Sequence, residues 1–148
     1  MSVRAWFTIS AVVLVVLTAA FALRFFAPVP APAIVARVGG IRLVGQATAD
    51  CWPQRNARLR CHRRSSSWTR PARLRGKGTI HIVVAYPIQP RAGSLVILRR
   101  DGATVTTSGW RESLAYDLQP GEYALQAVAE YPKGARVAYY FPITVQSP

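Results

Sequence analysis

The sequence predicts an all-β fold class, an antiparallel β-sandwich of about seven short strands, preceded by one N-terminal transmembrane helix. Three observations lead there. Beyond residue 78 the chain alternates apolar and polar side chains in short runs, the period of a half-buried strand. Gly, Pro, Asp and Ser punctuate those runs at regular intervals. Near the amino terminus, Ala5 to Leu23 carries no charged residue.

That apolar stretch is rich in Val, Ala, Leu and Phe, and Arg4 and Arg24 bracket it. At the helical rise it spans roughly 28 Å, close to the thickness of a bilayer core. A short basic start and a long apolar run fit an uncleaved signal anchor over residues 1–27. The rival is a cleaved signal peptide, since Ala20-Phe21-Ala22 and Ala31-Pro32-Ala33 are both small-x-small sites. Charge counting near the span is close to a tie, but long domains translocate largely regardless of charge. With the cysteine usage below, this gives the expectation of a single-pass cell-membrane protein, its C-terminal domain outside the cytoplasm.

Residues 28–36 read as a linker. Pro28-Val29-Pro30-Ala31-Pro32-Ala33 favours an extended, stiff polyproline conformation that would hold a domain off the membrane surface. Residues 37–148 then form the sandwich. Ile41 to Ala47 reads as its first strand, with Gly39-Gly40 as a candidate bulge.

Cys51 and Cys61 enclose nine residues. A zinc site generally needs four ligands, and Cys51, Cys61 and His62 supply at most three. Free thiols remain an alternative, but the spacing and the expected compartment favour a disulfide. The disulfide heads a basic loop over residues 50–77. From Arg55 to Lys77 there are eight arginines, one lysine and no acid: Arg55, Arg58, Arg60, Arg63, Arg64, Arg70, Arg73, Arg75 and Lys77. The whole chain carries a net charge of +13. Such a run repels itself, and Ser65-Ser66-Ser67 and Pro71 add to the expectation of an irregular, partly mobile arm. Trp52 and Trp68 interleave with the arginines, which bind phosphate or carboxylate bidentately and stack on aromatic rings. The expected partners are membrane lipid and an acidic protein subunit or anionic envelope polymer. Nucleic acid is disfavoured, because no nucleic-acid fold signature accompanies the charge. The competing reading of the arm is a solvated, solubilising loop.

Thr79 to Tyr86 points Ile80, Ile82, Val84 and Tyr86 inward and His81 outward. Ser94 to Arg100 is apolar on both faces at its centre, as an interior strand would be. Asp101-Gly102 makes a tight hairpin turn to Ala103–Thr107. Leu114, Tyr116 and Leu118 form the next inward set, and Trp110 reads as a plug at one end of the sandwich. The last two strands run from Tyr123 to Tyr131 and from Arg136 to Gln146, joined at Pro132-Lys133-Gly134. Pro142 cannot donate to a ladder, so the final strand should be an edge or bulged there.

Before the penultimate strand stands Leu118-Gln119-Pro120-Gly121-Glu122-Tyr123. Leu118, Pro120, Gly121 and Tyr123 resemble the tyrosine corner of immunoglobulin-like and fibronectin type III sandwiches. In those folds the Tyr hydroxyl hydrogen-bonds back to nearby backbone. The resemblance implies an immunoglobulin-like sandwich. Cys51-Trp52, the later Cys61 and the ending Tyr139-Tyr140-Phe141-Pro142-Ile143-Thr144-Val145 also resemble small bacterial envelope proteins with a Cys-Trp…Cys element. That second resemblance implies an extracytoplasmic, disulfide-bonded domain and no activity.

The sequence offers no enzyme chemistry. There are two histidines, six acids and no Gly-x-Ser-x-Gly elbow, phosphate loop or dinucleotide fingerprint, and no cofactor is implied. Asp50, His62 and Ser65 could be drawn as a triad, but a mobile arm would not hold the geometry. The expected function is therefore a non-catalytic binding or structural accessory protein. Two rival expectations are a cytoplasm-facing, nucleic-acid-binding protein and a secreted domain.

Overall fold

A computed structural model describes the backbone of residues 3–27 and 29–147, and the side chains of that set other than 3–9, 11, 25 and 26. One helix, α1 (Val3–Phe26), precedes eleven strands. Arg24 in its last turn suits the negative helix end. The expected span Ala5–Leu23 adopts helix throughout, but six of its side chains, those of residues 5–9 and 11, lie outside the described residues. Among the described residues no helix is long and apolar enough to cross a membrane.

The strands form two sheets. The smaller contains β1 (Ala33–Val38), β2 (Ile41–Arg42), β6 (Lys77–Ala85) and β9 (Ser113–Asp117), in the order β2-β1-β6-β9. The larger contains β3 (Gln46–Pro53), β4 (Leu59–Arg63), β5 (Ala72–Leu74), β7 (Ala92–Arg99), β8 (Thr104–Gly109), β10 (Gly121–Glu130) and β11 (Arg136–Val145). Its main order is β4-β3-β11-β10-β7-β8, with β5 beside β11. All pairings are antiparallel except β5 with β11.

The core lies between the layers. Ile34, Ala36, Ile80, Ile82, Val84, Leu114 and Tyr116 from the smaller sheet meet Leu95, Ile97, Tyr123, Leu125, Val137, Phe141 and Ile143 from the larger, all buried. Most of each set recurs at every second position, one pleat face per strand, and in β10 and β11 Ala124, Val128, Ala138 and Pro142 on the other face are buried as well. Trp52 is at its margin, edge-on to Tyr86 at 5.3 Å and to Tyr131 at 5.1 Å between ring centroids. Trp110 packs against the same core from the end of the β7–β8 hairpin.

Several expectations need correction. Gly39 and Gly40 do not bulge a strand. With φ of +52° and +86° they form the two-residue turn of the β1–β2 hairpin, a conformation that costs other residues a Cβ clash. The first strand therefore begins at Ala33, inside the expected linker, because Ile34 and Ala36 have a core to enter. The linker itself does not stand free. Val29 and Ala31 pack against the core, and the Val29 amide donates to Gln54 Oε1 at 3.0 Å.

The last strand, β11, is interior rather than an edge. It pairs with β10 along its whole length, and on its other side β3 ends at Tyr140 while β5 begins at Ile143. Pro142 sits opposite the gap, where no strand requires its missing donor. The bulge falls between Ala138 and Tyr139 instead.

The basic arm is largely ordered. Residues 59–63 form β4, paired with β3 through five registered positions. Beyond it the chain is irregular but tied down. The Gln46 side chain accepts from the Ser67 amide at 2.9 Å and donates to Ser67 O at 2.9 Å and to Thr69 Oγ1 at 2.7 Å. Residues 72–74 then enter the sheet as β5.

Candidate functional site: the basic hairpin and its groove

Cys51 and Cys61 are directly opposed in the β3–β4 ladder and joined by a disulfide. The register places Asp50 opposite His62 and Trp52 opposite Arg60. Directly opposed residues share a face. Trp52 is buried in the core, so Asp50, His62 and Arg60 stand on the core side of the hairpin, while Cys51, Cys61 and Arg63 stand on the outer side. Arg64 continues the inner row, since its amide donates to Thr48 O at 2.8 Å and prolongs the ladder by one step.

The inner row has no sheet opposite it. The smaller sheet ends in the two-residue β2, and all five residues of β4 are exposed. In place of a further strand runs the segment 29–32, clipped to the hairpin by Gln54, whose Nε2 also donates to Trp52 O at 3.3 Å. A groove of about 420 Å³ remains. Val29, Pro30 and Pro32 form one wall, Arg60, His62 and Arg64 the other, and Asp50, Val137 and Tyr139 the floor.

The polar groups there are coupled. His62 Nδ1 is 3.2 Å from Asp50 Oδ2, with the Asp50 side chain largely covered. Burial holds the Tyr139 hydroxyl above the usual phenol range; Asp50 pushes it further up and Arg64 opposes. The Tyr139 hydroxyl therefore keeps its proton at neutral pH and can donate a hydrogen bond. Asp50 and His62 thus meet on a disulfide-braced ladder, which overturns the expectation that the residues of the notional triad ride on a mobile arm. No hydrogen bond joins Ser65 to that pair among the described residues.

The other arm residues are dispersed. Arg55 and Arg58 lie at the exposed tip of the hairpin and Arg70 occupies a turn with φ +51°. Arg73, Arg75 and Lys77 line a broad groove at the opposite end, bounded by Tyr116, Leu118 and Pro120. The two ends are held apart by β11, whose Arg136 pairs with Cys51 and whose Val145 pairs with Leu74, roughly 30 Å along a strand. Lys77 is paired with Asp117 at 3.7 Å. Neither tryptophan stacks on an arm arginine: Trp52 is core, and Trp68 lies 5.3 Å from the Arg100 guanidinium, itself bonded to Glu122 at 2.6 Å.

No protein-family model, curated protein or solved structure matches this chain. Its chemistry is therefore read from its own residues. Among the described residues no group of three or more His, Cys, Asp or Glu could hold a metal ion.

The alternating Arg60, His62, Arg64 was visible in the sequence, but its face was not. The register implied by a cross-strand Cys51–Cys61 pair would have put Asp50 against His62. Nothing in the sequence signalled that Val29–Pro32 forms the facing wall.

At the other end of the molecule, Tyr123 is buried and its hydroxyl donates to Gln119 O at 2.9 Å. This closes a loop through Pro120 and Gly121 and fixes the entry to β10.

Proposed function

We infer that this protein is a membrane-anchored, extracytoplasmic, non-catalytic binding module whose basic hairpin docks an anionic partner. The observation that carries the reading is the absence of counter-charge. The three ion pairs among the described residues use Asp50 with His62, Asp117 with Lys77 and Glu122 with Arg100. None of the hairpin arginines Arg55, Arg58, Arg60, Arg63 and Arg64 has an acidic partner among those residues. Arginine charge held on an ordered ladder and left unpaired suits a partner that brings phosphate or carboxylate.

The anchoring part of the reading rests on α1. Apart from Thr18, its described side chains from Val12 to Leu23 are apolar on every side, and all are exposed. The Thr18 hydroxyl turns back onto Leu14 O at 2.9 Å, which suits an apolar surrounding. The disulfide favours an oxidising compartment and hence an extracytoplasmic domain. The Tyr123–Gln119 bond after Pro120-Gly121 supports an immunoglobulin-like kind of sandwich.

The test is retention of the full chain, in detergent, on heparin. Counterion release makes polyanion binding fall steeply with salt. Retention should vanish between low and high salt and weaken when Arg60, Arg63 and Arg64 are replaced by Ser. Retention indifferent to both changes would remove the docking role.

A further inference from the structure

We propose that the groove between residues 29–32 and the inner row of β4 binds a phosphate group esterified to an apolar body. This rests on the docking role above and deepens it. The charge count argues for phosphate. Asp50 is engaged by His62 across their 3.2 Å contact, which leaves the guanidiniums of Arg60 and Arg64, both lining the groove and without an acidic partner among the described residues, for an anion. Arginine forks match phosphate oxygens, and the Tyr139 hydroxyl adds a neutral donor on the floor. With Nδ1 engaged by Asp50, His62 keeps Nε2 for the ligand.

The facing wall argues for the apolar body. Val29, Pro30 and Pro32 offer only apolar side chains, and Val137 and Ala47 continue that surface. A ligand with phosphate against β4 and a hydrocarbon against the linker would match both sides at once. The groove at the other end is more than three times as large, about 1370 Å³, and mixes Arg73 and Arg75 with Gln119, Gln146 and Ser147. Its lysine is already paired with Asp117.

The geometry also joins the ligand to the linker. The wall is held by Gln54, which accepts from Val29 N and donates to Trp52 O. Filling the groove would clamp residues 29–32 to the hairpin and fix the domain relative to what precedes it.

The experiment uses the full chain in nanodiscs of zwitterionic lipid, with inorganic phosphate and hexyl phosphate as probes and calorimetric titration as the readout. Hexyl phosphate should bind at least about tenfold more tightly than inorganic phosphate, reflecting buried methylenes. R60Q/R64Q should weaken it at least about tenfold, while R73Q/R75Q, at the opposite end, should leave it within about twofold. Gln54→Ala should reduce the preference for the hexyl ester and leave inorganic phosphate binding little changed. If adding phosphatidic acid to the nanodisc displaces hexyl phosphate, the source is a lipid headgroup; if it does not, the source is a soluble ester. An intact Cys51–Cys61 disulfide and native near-ultraviolet circular dichroism report that each variant is folded. Equal loss from both arginine pairs, or no hexyl phosphate binding by the folded chain, overturns the proposal. Should heparin retention persist in that case, the groove alone is refuted; should it be lost too, the docking role falls with it.

Discussion

Cys51 and Cys61 face each other as a registered pair of β3 and β4, so their disulfide is a rung of the ladder. β4 pairs with β3 alone, and its five residues are exposed. An edge strand with so little apolar burial has little else to hold it. Replacing both cysteines by Ala should cost about 2.5–3 kcal/mol from the loop-closure entropy alone. Urea unfolding of the two forms measures this. Amide exchange in β4 should accelerate more than in β10, because the strand frays before the core opens.

Two buried tyrosines should respond oppositely to loss of their hydroxyls. Tyr123→Phe removes the bond to Gln119 O and should destabilise the fold by about 1 kcal/mol. The Tyr131 hydroxyl is buried without a hydrogen-bond partner among the described residues. Tyr131→Phe removes that unmet group and keeps the edge-on contacts to Trp52 and Tyr86, so it should be neutral or stabilising by up to about 1 kcal/mol. Thermal unfolding of both variants, side by side, gives the sign of each.

Gly93 lets the β7 and β10 backbones approach. A Cβ there would collide with the Val128 carbonyl oxygen and touch Trp110, and the φ of +152° disfavours any side chain. The obstruction is backbone, which cannot swing aside. Gly93→Ala should therefore destabilise by about 1–3 kcal/mol, whereas Gly109→Ala, with open space around its Cβ position, should cost far less. Chemical denaturation of the pair isolates the contact.

The sandwich was legible where one face of a strand is apolar. Ile80, Ile82 and Val84, or Leu125, Ala127 and Ala129, announce themselves by alternation because each set is buried between two layers. The basic hairpin was not legible for the complementary reason. Leu59-Arg60-Cys61-His62-Arg63 is polar on both faces, since its inner side looks onto a groove rather than onto a second sheet. Its strand character comes from pairing with β3 and from the disulfide, neither of which leaves a periodic trace. Ile34 and Ala36 were masked by the prolines before them, and the three-residue β5 is too short to show a period. Pro142 was correctly read as unable to donate, but the remedy is a change of neighbouring strand.

The direct measurement of the central claim, that the hairpin arginines are free to meet an anion, is the number of counterions released on binding. Association of the full chain with a single-stranded oligonucleotide, used only as a polyanion probe, is measured against salt on a double-logarithmic plot. Each lost phosphate contact reduces the slope by about 0.7. Replacing Arg60, Arg63 and Arg64 by Gln should lower the magnitude of the slope by about two. A slope unchanged by the triple replacement would mean those side chains make no contact with the anion, and the account of the hairpin as a docking element would be wrong.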